Sequence, residues 1–351
     1  MLLYYFFTKK LYQKKSILPV DKKIKIYCII RTMSDKLLEI KNLSKKFPVY
    51  AKTWGKTVSY TKAVSNLSLD VYKGEILAIA GESGCGKTTL GRCIMQLEKP
   101  SEGEIFYDKI KLNELSEKEL KPFRQKAQII FQNPYASLNP KMTVFQILKE
   151  PLVINKFKKE EIQKRVEETV GLVGLDVNDL KKYPHEFSGG QRQRIAIARS
   201  LILKPEFVIA DEPVSALDVS IQAQIINLLL ELKEKLQLTI IFISHDLGVI
   251  RQIADRVAIM YLGEIIELGE ADEIFESPAH PYTKLLLSSV PSVKQKEKNS
   301  IQNDLGITAN KNSESNCKFF GRCPIGDDVC KNCEIQVKQI SDSHYVKCLK
   351  Y

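Results

Sequence analysis

The string GESGCGKT, residues 81–88, constrains this chain more than any other. Before it stands EILAIA, an apolar run of strand length. After it comes TTLGRCIMQL, whose apolar residues have helical spacing. A GxxxxGKT pattern between a strand and a helix is a loop that cradles phosphate. Gly81, Gly84 and Gly86 let the backbone curl, so that the N–H groups around Glu82, Ser83 and Cys85 point inward at phosphate oxygens. The positive end of the following helix, entered through Lys87, Thr88 and Thr89, adds to the attraction. Lys87 is expected to reach the β- and γ-phosphates of a nucleotide, and the Thr88 hydroxyl to ligate Mg²⁺.

VIADEP, residues 208–213, supplies a second half to such a site. FVIA is continuously apolar, as in a strand buried on both faces of a parallel sheet. Asp211, at its C-terminal end, can hold the Mg²⁺ shell, and Glu212 can take a proton from an attacking water or orient it. FSGGQRQRIAIARSLI then reads as a capped helix. Ser188 is the N-cap, Gly189 and Gly190 lie in the first turn, and Gln191 follows. A glycine-bearing helix start with free N–H groups is an anion site. One chain already has a phosphate loop, so the economical reading is two chains head to tail, each covering the other's nucleotide.

In this order and spacing, residues from about 37 to 269 resemble the ATP-binding-cassette (ABC) ATPases. The resemblance makes GESGCGKT the Walker A loop, FSGGQ the signature, Asp211 the Walker B aspartate and Glu212 the catalytic glutamate. Gln132, in IIFQNPYASLNP, matches the Q-loop glutamine, which senses the γ-phosphate and Mg²⁺. SALD, ending at Asp218, matches the D-loop, and His245, after TIIFIS, the switch histidine. It also implies an aromatic ring on the adenine. Phe47 is the favoured candidate, with Tyr50, Trp54 and Tyr60 as alternatives. The implied fold is α/β: a P-loop NTPase of ABC type, with a RecA-like, mostly parallel core, an antiparallel β subdomain and a helical subdomain over about 135–200. The expected divisions are an ABC domain at 36–270, a tail motif at 271–291, a linker at 292–316 and a cysteine-rich appendage at 317–351.

Composition agrees. In 351 residues, 44% are hydrophobic and 27% charged, enough for a sizeable core in an ordinary globular chain. The longest apolar runs fall short of a bilayer span. No internal repeat points to tandem cassettes, and no long heptad array points to the DNA-repair branch of the family. The net charge of +11 suggests nucleic acid, but residues 1–32 carry +7 of it and leave an unremarkable +4. That basic opening has neither a secretion-signal core nor a cleavage site. MSDKLLEIKNLSKKF, from Met33, reads as the natural start. Translation from Met33 is the preferred reading, and a basic membrane-surface anchor the alternative. Residues 111–126 read as a polar helical stretch. In EEIQKRVEETV, Ile162, Val166 and Val170 share a helix face.

The C-terminal third narrows the resemblance. SPAHPYTKLLLSSVP, residues 277–291, is similar to the tail of ATPase subunits of oligopeptide and dipeptide permeases and their nickel and glutathione relatives. NPYASLNP resembles the F-type subunit. Five of the eight cysteines fall from Cys317 onward. Cys317, Cys323, Cys330 and Cys348 fit the family's C…RCP…C…C pattern, while Cys333 competes with Cys330 as a ligand. Grouped thiols on such an ATPase suggest metal rather than disulfides. The resemblance implies a [4Fe-4S] cluster, with Zn²⁺ as the alternative. This site is expected to lie far from the ATP motifs and to hold the tail against a neighbouring ATPase.

The implied function is ATP hydrolysis energising import of oligopeptides or dipeptides. The chain would sit peripherally on the cytoplasmic face of the membrane, with a homologous ATPase subunit, two integral permease subunits and, indirectly, an extracytoplasmic substrate-binding protein. Nucleic acid is not an expected partner. The alternatives are nickel or glutathione import by the same machinery, or a soluble ABC ATPase acting on ribosomes or DNA.

Overall fold

The computed structural model describes residues 36–50, 57–289 and 316–351. The extension at 1–32, Trp54, the Tyr50 side chain and the linker, save for Asn316, lie outside them.

Strands β1 (Lys36–Tyr50) and β2 (Thr57–Tyr72) pair antiparallel. β3 (Ile76–Ala80) leaves them for a second sheet, while β4 (Glu102–Tyr107) and β5 (Ile110–Lys111) return to the first, giving the order β2-β1-β4-β5. β6 (Ala127–Ile130), β7 (Phe207–Asp211), β8 (Thr239–Ser244) and β9 (Arg256–Tyr261) run parallel to β3 in the second sheet. β10 (Glu264–Glu270), β11 (Lys338–Gln339) and β12 (Tyr345–Val346) extend it antiparallel. Its order is β11-β12-β10-β9-β3-β8-β7-β6.

The apolar runs become strands because both faces of this sheet are covered. Every residue of β3, β7, β8 and β9 is buried. Alternation still sorts them between two cores. Ile76, Ala78 and Ala80 face one, with Val208 and Ala210. Leu77 and Ile79 face the other, with Phe207 and Ile209. Parallel strands also end at a common edge, where ligand crevices form. Gly81 follows β3, Gln132 lies two residues beyond β6, Glu212 follows β7 and His245 follows β8. Four segments scattered in the sequence therefore meet at one rim.

Helices Val144–Ile154, Lys159–Leu172 and Gly189–Leu201 form the helical part. Ile162, Val166 and Val170 are all buried, as their spacing requires. The polar stretch 111–126 differs from expectation. Only a 3-10 turn, Leu112–Glu114, and the helix Lys121–Lys126 form there. The Glu119 carboxylate accepts both the Ser116 N–H and its hydroxyl, which holds a turn where the helix was expected to run.

The C-terminal cysteine-rich segment is not a separate appendage. β12 pairs with β10, Val346 against Glu267 and Tyr345 against Leu268. Phe319 is 2% exposed and belongs to the main core. Its ring centroid lies 5.4 Å from those of Tyr261 and Tyr282.

Candidate functional site

The loop after β3 is built on glycines that nothing else can replace at two points. Gly81 has φ +152°, and a Cβ there would stand 2.2 Å from the Met260 carbonyl oxygen. Gly86 has φ +108°, and its Cβ would stand 2.0 Å from the Ala63 carbonyl oxygen. Both are close backbone approaches in the left-handed region. Lys87, Thr88 and Thr89 open the helix Lys87–Ile94. The Lys87 ammonium is folded back on the loop, donating to the carbonyls of Gly81 at 2.7 Å and Glu82 at 3.0 Å. The Cys85 sulfur lies 3.9 Å from it, and burial pushes that thiol's pKa up.

Two adjacent carboxylates face this loop. The Thr88 hydroxyl donates to Asp211 Oδ1 at 3.1 Å. Asp211 is 4% exposed, and burial raises its pKa against the opposing bond from Thr88. Glu212 has both oxygens engaged. Gln132 Nε2 donates to Oε2 at 2.9 Å, and His245 Nδ1 lies 3.2 Å from Oε1. Gln132 and His245, from separate motifs, thus converge on the carboxylate that a third motif supplies. The Glu212 backbone is in the left-handed region, φ +45°, held by its N–H to the Ile243 carbonyl at 2.9 Å. The Ser215 hydroxyl donates to the Glu212 carbonyl at 3.1 Å, tying the SALD turn to it. Asp218 then N-caps the helix Val219–Leu236 with its main chain, since its carboxylate makes no capping bond.

Ser188 caps its helix as expected. Its hydroxyl accepts the Gln191 N–H at 3.3 Å, and Gln191 Oε1 accepts the Ser188 N–H at 3.0 Å. Gly189 and Gly190 pack on the SALD side: added Cβ atoms would lie 3.5 Å from Leu217 and 2.6 Å from Ile221. Phe47 pairs with Thr61, two residues from the Ala63 carbonyl that meets Gly86, and Lys45 sits 4.8 Å over its ring. Tyr60 is 63% exposed on the same ribbon.

Two residues gripping the loop were not anticipated as site residues. The Tyr282 hydroxyl accepts the Glu82 N–H at 3.1 Å. Arg322 donates to both Glu82 oxygens, at 3.0 and 2.9 Å. Tyr282 lies in the HPYT string and Arg322 in GRCP, so the strings were visible but not their target. The expectation that the cysteine tail lies far from the ATP motifs is therefore corrected: Arg322 is the residue before Cys323.

Cys317, Cys323, Cys330 and Cys348 line one small cavity of about 10 Å³, beside His280 and Phe319. Cys333 is exposed and does not line it. Burial pushes the Cys317, Cys323 and Cys348 thiols up, and neighbouring thiols add to this. Backbone amides of Phe319, Ile325 and Lys350 oppose it by bonding those sulfurs. Among the described residues, no three His, Cys, Asp or Glu side chains stand close enough to hold a single metal ion. The thiols surround a common space without closing on one point.

The geometry agrees with what the chain is similar to. An ABC transporter family model matches residues 64–215, and one described as the oligopeptide/dipeptide transporter C-terminal region matches residues 266–330. The oligopeptide transport ATP-binding protein AppF of Bacillus subtilis is 47% identical over 90% of this chain and 97% of its own length. OppF of the same organism is 52% identical over 74% of this chain and 84% of its own. The solved post-hydrolysis dimer of the ATP-binding cassette MJ0796 with ADP and Pi superposes with a TM-score of 0.60 at 32% identity, covering 67% of this chain and 98% of that one. A cassette of Clostridium perfringens, part of the cbiONQ ABC transporter complex, gives 0.60 at 31% identity, covering 69% and 92%. The chain belongs to the ABC transporter ATP-binding proteins, in the branch with the oligopeptide/dipeptide C-terminal region, and is an ABC-type ATPase.

Proposed function

We propose that this chain is the ATP-hydrolysing subunit that energises an importer of oligopeptides or dipeptides. Its 47% identity to a protein named for oligopeptide transport, nearly end to end, supports the substrate class. No helix among the described residues is long and apolar enough to cross a membrane, so in this reading the pore belongs to two permease subunits. The chain sits on the cytoplasmic face against them and pairs with a homologous ATPase. A substrate-binding protein delivers the peptide from the other side. Residues 36–270 supply the ATPase, and 271–291 with 317–351 the tail that distinguishes this branch.

One observation carries the catalytic assignment: the Glu212 carboxylate is held by Gln132 and His245, one residue from the Asp211–Thr88 pair. Lys87 releases the Gly81 and Glu82 carbonyls and turns to the β- and γ-phosphates, which the loop amides of residues 83–88 cradle, the Glu82 N–H being held by Tyr282 instead. Thr88, Asp211 and Gln132 offer hard oxygens suited to Mg²⁺, whose bound charge neutralises the phosphates. Glu212 orients the attacking water and accepts its proton, once one of its two partners gives way. His245 then faces the γ-phosphate. Ser188, Gly189, Gly190 and Gln191 cover the partner's nucleotide, with Asp218 at the dimer seam, and Phe47 stacks on adenine.

We infer that the four cavity-lining cysteines would hold a sulfur-bridged cluster, with Zn²⁺ as the alternative. They share one space, and Cys317, Cys323 and Cys348 receive backbone N–H bonds. A [4Fe-4S] cluster bound there would supply a structural cross-link, and Cys330 rather than Cys333 is the third ligand.

Glu212→Gln tests the catalytic reading. Turnover should fall by roughly 10² or more, because the water loses its base, while ATP binding persists. Hydrolysis at the parent rate would overturn the role of Glu212.

A further inference from the structure

We propose that Arg322 is a positioning residue for the phosphate loop, through which the C-terminal cysteine segment sets the affinity of the site for ATP. The proposal rests on reading residues 81–88 as the loop that holds ATP phosphates.

All the polar groups of Glu82 are engaged. Its carbonyl accepts the Lys87 ammonium at 3.0 Å. Its N–H donates to the Tyr282 hydroxyl at 3.1 Å, and its carboxylate takes both Arg322 nitrogens at 3.0 and 2.9 Å. The first bond is local and must break when Lys87 turns to phosphate. The other two come from residues 200 and 240 positions away and remain. Glu82 is therefore the point where the loop is anchored while its lysine moves.

Both anchors are themselves fixed. Tyr282 is fully buried, and its own N–H donates to His280 Nδ1 at 3.0 Å. Glu267, 1% exposed, accepts the N–H groups of Ala279 and His280 and holds that turn. The Arg322 side chain is 14% exposed. Its guanidinium lies 5.7 Å from the Phe319 ring centroid and 5.9 Å from that of Tyr261. Its Nε is buried without a partner, and the guanidinium is shared between the Glu82 carboxylate and the Tyr261 hydroxyl, which steadies the fork from the core side. Such a two-pronged pair fixes direction as well as distance, which an ammonium cannot reproduce. Arg322 ends the 3-10 turn Phe320–Arg322, with Phe319 in the core on one side and Cys323 on the thiol cavity on the other. Disorder in the cysteine segment would reach the loop through this turn.

The grip acts on the loop and not on Glu212, so it should appear in ATP affinity rather than in the chemical step. The experiment uses the full chain with its partner subunits, titrated with a fluorescent ATP analogue and assayed for steady-state hydrolysis. Arg322→Gln is expected to weaken nucleotide binding about fivefold and raise KM in step, with kcat within about twofold. Glu82→Gln should do the same, Arg322→Lys should fall between, and the double variant should be no worse than either single one, because both remove one interaction. If Arg322→Gln lowers the melting temperature, Glu82→Gln decides, since it leaves the tail's packing intact. Affinity within twofold of the parent in Glu82→Gln, or additive losses in the double variant, would overturn the proposal. Lys87→Ala separates the two readings. If it loses ATP while Arg322→Gln and Glu82→Gln do not, the grip fails alone. If it binds ATP as the parent does, the phosphate-loop reading falls and takes the grip with it.

Discussion

Gly86 shows how little freedom the phosphate loop has. With φ at +108° and the Ala63 carbonyl 2.0 Å from any added Cβ, alanine there must either push β2 away or unwind the helix start. Gly86→Ala is expected to cost about 2 kcal/mol or more and to abolish ATP binding. A thermal melt and an ATP titration check both, and a variant matching the parent in either would contradict the geometry. Residues of this kind were legible in the sequence because phosphate chemistry demands a short local string. Asp211, Glu212, Gln132 and His245 were legible by their order and spacing. That Gln132 and His245 hold the two oxygens of the same Glu212 was not, because that depends on where parallel strands end. Tyr282 and Arg322 left no trace as site residues, since 200 and 240 positions separate them from Glu82.

Elements follow the same logic. Long apolar runs such as TIIFIS became buried strands, and the face of Ile162, Val166 and Val170 became core. The strands Lys338–Gln339 and Tyr345–Val346 were invisible, because two residues carry no periodicity. Their pairing is nonetheless consequential. β12 covers the edge of β10, and the Lys347 N–H donates to the Ile266 carbonyl at 2.8 Å. His344 Nε2 lies 2.7 Å from Glu267 Oε1, deep in the fold. A chain ending before Lys338 would bare a sheet edge and leave a buried carboxylate short of its partner. It should lose about 3 kcal/mol or more, melting several degrees lower and scattering light on heating. Unchanged melting would mean that the tail lies on the sheet without supporting it.

The whole molecule joins two regions that the sequence presents as separate: an ATPase rim and a cysteine-rich end. Residues 316–351 are too few to fold on their own hydrophobic core. They borrow the main core through Phe319 and the main sheet through β12, and four thiols remain around one cavity. Metal ligation would supply the folding energy such a segment lacks. Anaerobically purified protein is therefore expected to be brown, with iron and sulfide in stoichiometric amounts. Cys323→Ser should bleach it. Because Cys323 follows Arg322, the same substitution should weaken ATP binding in the direction of Arg322→Gln while leaving the Glu212-dependent step intact. Colourless protein with one zinc would replace the cluster by a zinc site, and no metal at all would remove the metal. In either case the Arg322–Glu82 bond would still join tail and loop, because Phe319 anchors the turn before Cys323 in the main core.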